Sequence, residues 1–248
     1  MDNTDANLHS IKEKLISFGD ATPVEELLPT VLPQAAPFVS SDPYAFSIAT
    51  CLDRGTKAEI IWTIPYDMKN ELGHLDPQKI HGMSLEELTA LFARLPRRPR
   101  YVNDAPRTVS ELTRIVVEEC GGNAANIWQG RSAASVKRTF MSIHGVGPGI
   151  ASMGVLLIEK TFGVRFADLD RPHMDIKPDV HTVRVLYRLG VSDATTTDAA
   201  IQAARRLSPE FPGAVDGGLW ELGRRFCFAS NPNCAGCPMN DACGKRIQ

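Results

Sequence analysis

The stretch from Leu222 to Cys243 reads LGRRFCFASNPNCAGCPMNDAC and holds four of the six cysteines of the chain. These four are Cys227, Cys234, Cys237 and Cys243, separated by six, two and five residues. Thiolates bind soft metal ions and iron–sulfur clusters, and four in so short a stretch can surround one metal centre. The Asn, Pro and Gly residues between them favour a loop over a helix. The stretch therefore predicts a metal-binding loop.

The spacing of the cysteines bears on which metal they bind. Structural zinc sites usually contain two close pairs of ligands, each pair separated by two to four residues. Only Cys234 and Cys237 form such a pair here, so the spacing favours a [4Fe–4S] cluster, with zinc as the alternative and a loop without metal as a third. Cys51 and Cys120 lie in apolar helical surroundings and are expected to be small core residues.

The rest of the composition is that of an ordinary globular protein. Of the 248 residues 43% are hydrophobic and 23% are charged, with a formal net charge of -2. This charge is not that of a chain that binds nucleic acid through overall positive charge, so any phosphate binding must come from local fields. No apolar run reaches the roughly 18 residues of a membrane span, and the first residues are polar and acidic. We expect a cytoplasmic protein.

Helical signals dominate the chain and predict an all-α fold. Ser84 with Glu87, and Thr108 with Glu111, have the spacing of capping boxes at helix starts. Asp76 followed by Pro77 is a typical N-cap and first-turn pair. Apolar residues then recur at helical spacing, for example Leu88, Leu91 and Leu95, and no stretch alternates as a strand would.

A glycine-rich segment, Ile143–Ala151 or IHGVGPGIA, lies between two helical runs. Glycines let the backbone turn sharply, and their amides can approach an anion closely. A helix that begins at Pro148 would add a favourable dipole for phosphate. The segment therefore predicts either an anion-binding hairpin, with Gly145 and Gly147 at the phosphate, or simply a tight turn.

An acidic residue follows about 30 residues later, in the segment KPDVHTVRV from Lys177 to Val185. Asp179 is well placed to cap the helix that follows, and it is also a candidate catalytic carboxylate. Three other acids are nearby and compete for that role, although their loop setting predicts solvated charges: Asp168, Asp170 and Asp175.

The three segments, in this order, resemble the endonuclease III-like helix-hairpin-helix (HhH-GPD) DNA glycosylase superfamily. LGRRFC leads into the cysteine loop as in that family, and KPDVHTVRV matches its Asp-x-His-x-x-Arg-Val pattern. The hairpin departs from the family's Leu-Pro-Gly-Val-Gly by having Ile143 and His144 at its start. The resemblance covers roughly residues 40–248.

The resemblance implies an all-α fold of two helical subdomains that flank a DNA cleft. Residues 44–154 would form a helical barrel that ends in the hairpin. Residues 1–43 and 155–248 would form the cluster subdomain, with a [4Fe–4S] cluster in the loop at 227–243. The implied partner is double-stranded DNA with a damaged or mispaired base. The protein is expected to be a cytoplasmic, nucleoid-associated monomer.

The implied activity is excision of a base, with Asp179 as the catalytic carboxylate that stabilises the cation-like sugar and activates water. Family members that also cleave the strand carry a lysine early in the second hairpin helix, and Gly149 stands at that position here. Since glycine cannot act as a nucleophile, the resemblance implies a monofunctional enzyme. Lys137 and Lys177 are the alternatives for a replacement nucleophile, and a non-catalytic lesion-binding protein is a further alternative.

Family members that lack the lysine act on thymine or uracil opposite guanine, or on adenine opposite 8-oxoguanine. By analogy, thymine or uracil opposite guanine is our first expectation. The adenine enzymes usually carry a further C-terminal domain, whereas this chain ends at Gln248, which favours the first option. DNA contacts are expected at the hairpin residues and at a helix end that would reach the lesion. These residues are Gly145, Val146, Gly147, Gly149, Leu52 and Arg54. The alternative for Leu52 and Arg54 is an ordinary helix terminus.

Overall fold

A computed structural model describes residues 5–247, and every regular element in that range is helical. The predicted all-α fold is therefore confirmed. The chain forms two compact units, one made of Val24–Leu169 and the other of the segments on either side of it. Within residues 5–247, no helix combines the length and apolar character needed to cross a lipid bilayer.

The unit of Val24–Leu169 contains ten α-helices. They are α2 (Val24–Leu27), α3 (Ala35–Ser41), α4 (Pro43–Leu52), α5 (Ala58–Ile61), α6 (Ile64–Leu72), α7 (Pro77–His81), α8 (Leu85–Arg94), α9 (Ala105–Arg114), α10 (Ala133–Met141) and α11 (Pro148–Phe162). The other unit contains four, α1 (Asp5–Ala21), α12 (Val180–Leu189), α13 (Thr197–Leu207) and α14 (Asp216–Arg225). Short 3-10 turns occupy Ala124–Ile127, Arg171–His173 and Pro212–Val215.

Helix α4 is the centre of the Val24–Leu169 unit. All its residues from Tyr44 to Leu52 are buried, because the sequence there is almost wholly apolar. The ring of Phe46 packs at 5.6 Å from Trp62 and 6.1 Å from Trp128, both of which are buried. Aromatic rings at these distances contribute beyond their buried area. The buried helix provides a rigid support for the elements around it.

The ends of the helices follow local chemistry, with one exception. The capping box of Ser84 and Glu87 is present, and Asp76 caps α7 as predicted. The box predicted at Thr108 is wrong, because α9 begins earlier, at Ala105, with Pro106 in its first turn. Thr108 is fully buried inside that helix, where its hydroxyl donates to the carbonyl of His144 at 2.9 Å. Tertiary contact has overridden the local signal.

In the other unit, α14 packs against both α1 and α12. The contact with α1 is close, because a Cβ on Gly218 would lie 2.1 Å from the carbonyl oxygen of Leu15. The core between these helices is apolar and includes Leu15, Leu186, Leu219 and Leu222. This packing holds the start of the cysteine loop, which follows α14 directly.

The unit of Val24–Leu169 extends beyond the predicted barrel at 44–154 at both ends. Helix α3 belongs with the following helices because it packs against α4 and α6. At the other end, the Asp168 carboxylate accepts a hydrogen bond from the amide of Ala133 at the start of α10, at 2.9 Å. Sequence periodicity shows where helices lie but contains no record of these long-range contacts.

Candidate functional site

The glycine-rich segment forms a tight hairpin between α10 and α11. The amide of Val146 donates to the carbonyl of Ile143 at 3.1 Å, which closes the turn. Gly147 is the N-cap of α11 and Pro148 occupies its first turn, and no side chain caps this helix end. An uncapped helix N-terminus presents backbone N–H groups and a partial positive charge. The start of α11 thus has the two features on which the predicted anion site depends, and that site remains a prediction.

The turn requires glycine at position 145. Its φ is +78°, a conformation that side chains disfavour. A Cβ at this position would also lie 1.4 Å from Nη1 of Arg54. Backbone conformation and the close approach of a guanidinium therefore both require glycine here.

Arg54 lies two residues after the end of α4 and supports the hairpin. Its Nη2 donates to the hydroxyl of Thr108 at 3.3 Å, and that hydroxyl in turn donates to the carbonyl of His144 at 2.9 Å. Nη1 is buried against the turn and makes no hydrogen bond among residues 5–247. The guanidinium also lies over the ring of Tyr101, 5.7 Å from its centroid. Arg54 is held inside this network rather than extended into solvent.

Glu111 holds the hairpin from α9. Its carboxylate accepts the backbone N–H of His144 at 2.7 Å and the Nε–H of Arg107 at 2.8 Å. Partial burial acts to raise the pKa of Glu111, but the hydrogen bonds from Arg107 and His144 outweigh it, and the pKa lies below its ordinary value. Because the folded pKa is lowered, this stabilisation is present at neutral pH and is lost as the pH falls through it.

An open groove of about 760 Å³ runs along the hairpin. Its walls are the hairpin itself, residues 143–147, with Arg107, Glu111, Arg114 and Met141. Arg107 is ion-paired with Glu111 of α9, and Arg114 is ion-paired with Glu118, four residues after it. The groove therefore carries mixed charge.

The two residues predicted to reach a lesion are placed differently. Leu52 is only 2% exposed in the core of its unit, so it cannot contact a partner. Arg54 supports the hairpin as described. Tyr101, which the sequence analysis did not single out, is 44% exposed, and its ring packs on Gly55 beside Arg54. Its position in the irregular segment between α8 and α9 was the available signal, since exposed aromatics on loops are often binding residues.

Asp179 is the N-cap of α12 and has the geometry of a fixed carboxylate. Its Oδ1 accepts the backbone N–H groups of His181 at 2.8 Å and Thr182 at 2.9 Å. Its own N–H donates to the hydroxyl of Thr182 at 2.9 Å, which completes a capping box. No hydrogen bond within residues 5–247 uses Oδ2, and the residue is partly exposed. One oxygen is held in place while the other remains available to a ligand.

The competing acids all have structural partners. Asp168 accepts from the start of α10, Asp170 pairs with His173 at 2.9 Å, and Asp175 binds Arg205 through both oxygens. Asp168 and Asp170 are exposed to solvent, as their loop setting suggested, but each of the three acids also has a protein partner. Each serves local structure, whereas Asp179 keeps a free oxygen.

The two alternative lysines lie in different units. Lys137 is in the middle of α10, and Lys177 lies two residues before Asp179, where its backbone N–H donates to Asp216 at 3.2 Å. Gly149 is in the first turn of α11. No lysine occupies that turn.

The four cysteines of the C-terminal loop line one small apolar cavity. All four are free thiols and half-buried, and Arg188 lies on the same cavity. Burial raises the pKa of the Cys237 and Cys243 thiols above the ordinary value, so a bound metal would have to displace their protons. Within residues 5–247, no three His, Cys, Asp or Glu side chains are drawn together closely enough to hold a single metal ion. The donor set of four cysteine sulfurs around one cavity is chemically suited to an iron–sulfur cluster.

Comparison with known proteins identifies relatives over most of the chain. Endonuclease III of Thermotoga maritima is 26% identical over 204 residues, which are 82% of this chain and 83% of that protein. No protein-family model matches.

Three solved structures share the fold. A trapped endonuclease III–DNA covalent intermediate has a TM-score of 0.63 at 18% identity, covering 98% of this chain and 96% of that chain. A non-covalent endonuclease III–DNA complex has 0.64 at 17%, with the same coverage. A thermostable thymine-DNA glycosylase has 0.60 at 18%, covering 98% of each chain. The resemblance to the endonuclease III-like superfamily is confirmed.

The hairpin glycines provide a matched test of this geometry. We expect Gly145→Ala to lower the free energy of unfolding by about 1–3 kcal/mol, because the new methyl group displaces Arg54. Gly147→Ala is the control, since φ is -93° and no atom lies within 4 Å of the added Cβ. Its cost should be less than about 1 kcal/mol. Urea unfolding of both variants decides this, and equal stability would contradict the role of Arg54.

Proposed function

We propose that this chain, a homologue of endonuclease III with the fold of its superfamily, is a DNA glycosylase of base-excision repair. The observation that carries the proposal is Asp179, with Oδ1 fixed by the helix it caps and Oδ2 available. A carboxylate of this kind suits hydrolysis of an N-glycosidic bond, because the reaction develops positive charge on the sugar.

We propose that the hairpin binds the DNA backbone. The uncapped start of α11 and the glycine amides at 145, 147 and 149 favour a phosphate there. The backbone of Val146 helps to close the turn that presents them. These contacts do not depend on sequence, so they would position the duplex without specifying a base.

Asp179 would act on the target nucleotide after its base leaves the stack. Its carboxylate would stabilise the cationic sugar and accept a proton from the attacking water. The water oxygen forms a bond to the sugar carbon while the bond to the base breaks, and the base leaves with the bonding electrons. Since Gly149 stands where a lysine nucleophile would be needed, the abasic strand stays intact.

The substrate class that we propose first is thymine or uracil opposite guanine. A thymine-DNA glycosylase is among the structural neighbours, and the absence of a lysine at position 149 accords with simple hydrolysis. The partner would be double-stranded DNA with a damaged or mispaired base, and a monomer would suffice because both the hairpin and Asp179 are on one chain.

Removal of a base from the stack leaves a gap that a side chain must fill. Leu52 is buried and Arg54 is committed to the hairpin, so neither is proposed for this role. Tyr101 is the better candidate, because its exposed ring lies beside Arg54 in the unit that carries the hairpin. An aromatic ring stacks on neighbouring bases whatever their sequence.

We propose that the cysteine loop holds a [4Fe–4S] cluster. Cys227, Cys234, Cys237 and Cys243 would be its ligands, since they line one cavity. The cluster would fix the fold of the loop, and no reaction step is assigned to it.

Base release from a panel of duplexes tests the proposed activity. Each duplex carries uracil, thymine opposite guanine, adenine opposite 8-oxoguanine, hypoxanthine or an alkylated base. Strand breaks are expected only after alkali, with no adduct trapped by borohydride. Breaks without alkali, and trapping lost in Lys137→Ala or Lys177→Ala, would show a lysine nucleophile instead. Binding without release from any duplex would favour a non-catalytic lesion-binding protein.

The same assay separates catalysis by Asp179 from capping. Asn caps helices as well as Asp, so Asp179→Asn should keep its stability while base release falls by about 10²–10⁴-fold. Asp175→Asn, which removes a carboxylate of the same unit, is the matched control and should release base at close to the wild-type rate. Equal rates for all three proteins would refute the catalytic role.

Tyr101 is tested by binding to duplex that contains an abasic site. Tyr101→Ala should bind roughly tenfold more weakly, because one stacking contact is lost. Tyr101→Phe keeps the ring and should bind like the wild type. Fluorescence anisotropy measures both, and unchanged binding of the alanine variant would remove Tyr101 from the interface.

Metal analysis tests the proposed cofactor. Protein purified without oxygen should be brown and contain iron and acid-labile sulfide, about four of each per chain. Cys237→Ser should lose most of the iron, whereas Cys120→Ala, at a buried cysteine outside the loop, should retain it. Stoichiometric zinc in place of iron would show the alternative metal.

A further inference from the structure

Arg188 lies in the last turn of α12 and is only 8% exposed. Its Nη1 donates to the carbonyl of Phe228 at 2.6 Å, and its Nη2 donates to the carbonyl of Ala229 at 2.9 Å. Nη1 also donates to Sγ of Cys227 at 3.5 Å. A buried guanidinium usually pairs with a carboxylate, but in the described part of the chain Arg188 faces only carbonyls and a sulfur.

The backbone of the same turn holds the other end of the cysteine loop. The carbonyl of Arg188 accepts the N–H of Arg246 at 3.3 Å, and the carbonyl of Leu189 accepts the N–H of Gly244 at 3.2 Å. The thiol of Cys243 also donates to the carbonyl of Arg188 at 3.3 Å. That last bond belongs to the protonated thiol, since a thiolate ligand has no proton to donate. One helical turn therefore secures the segments that begin and end the loop.

A second arginine of α12 shows what is particular to Arg188. Arg184 donates to the carbonyls of Cys227 at 2.7 Å and Gly223 at 3.1 Å. Among the described residues its hydrogen bonds go to carbonyls and to His181 and not to sulfur, and it is not part of the cavity lining. Arg184 positions the backbone, whereas Arg188 also brings an N–H and a positive charge to a cysteine sulfur.

Both features act on the electronic state of a cluster in this cavity. Hydrogen bonds to the cysteine sulfurs and nearby charge are among the protein's means of setting the potential of an iron–sulfur cluster. An added electron makes the cluster more negative, so a buried cation beside one ligand stabilises the reduced state more than the oxidised state. Removal of this cation should make reduction harder.

We propose that Arg188 is a positioning residue for the cluster, which raises its reduction potential through Cys227 and slows its loss by clamping the loop. The proposal rests on the proposed cofactor. It is independent of the proposed glycosylase activity, because neither effect requires DNA.

Two substitutions separate the charge from the clamp. Arg188→Met removes both. Arg188→Lys keeps the charge, but its single ammonium group replaces the two guanidinium nitrogens that donate to Cys227, Phe228 and Ala229. Arg206→Met is the matched control, because Arg206 belongs to the same unit and bonds a carbonyl, that of Val191, away from the cysteines. The potential is measured by redox titration of the visible absorbance, and cluster loss by the rate of iron release to a chelator.

Arg188→Met should shift the one-electron equilibrium at least tenfold toward the oxidised state, about 59 mV. Arg206→Met should stay within twofold of wild type. Arg188→Lys should keep most of the potential but release iron at least threefold faster. If Arg188→Met fails to load a cluster, the iron release of Arg188→Lys decides the question.

Potentials and release rates equal to wild type in both Arg188 variants would overturn the proposal. Wild-type protein without iron and sulfide would overturn the cofactor and this role of Arg188 together. If no duplex releases a base, the reduction potentials of the wild type and of Arg188→Met can still be measured. A failure of the glycosylase proposal is therefore recognised separately.

Discussion

The unit that contains α12 and the cysteine loop depends on the hydrogen bonds from the arginines of α12 to that loop. A loop of this kind has few apolar residues of its own, so its backbone carbonyls must find donors. Arg184 and Arg188 supply them from one face of a single helix. Because the same ten-residue helix begins at Asp179, the carboxylate and the loop share one rigid support.

This arrangement gives Asp179 a precise orientation at low cost. The helix cap that holds Oδ1 would exist for the stability of α12 alone, since an Asp N-cap typically contributes about 1 kcal/mol. Structure and proposed chemistry therefore use different oxygens of one side chain. The packing of α14 against α1 and α12 then keeps the helix in place.

The other unit solves a similar problem at the hairpin. The turn is closed by its backbone hydrogen bond from Val146 to Ile143, and it is supported from outside by Glu111 of α9 and by Arg54, which follows the end of α4. The DNA contact expected for Arg54 from its place at a helix end does not fit its position inside this network. The prediction for Leu52 fails for a similar reason. The sequence pattern of an apolar residue near a helix end is the same whether the side chain faces the core or the solvent.

The all-α class, the caps at Asp76, Ser84 and Asp179 and the glycine-rich turn could be predicted from the sequence alone, because these features depend on residues close together in the chain. The sequence also determined the grouping of the four cysteines, whose spacing is a local property. Tertiary structure alone decided that Thr108 lies inside a helix, that Arg54 fills the space over Gly145, and that Arg188 reaches Cys227. Each of these contacts joins residues more than thirty positions apart, and the free energy of such contacts depends on which surfaces meet, a fact that no local pattern contains.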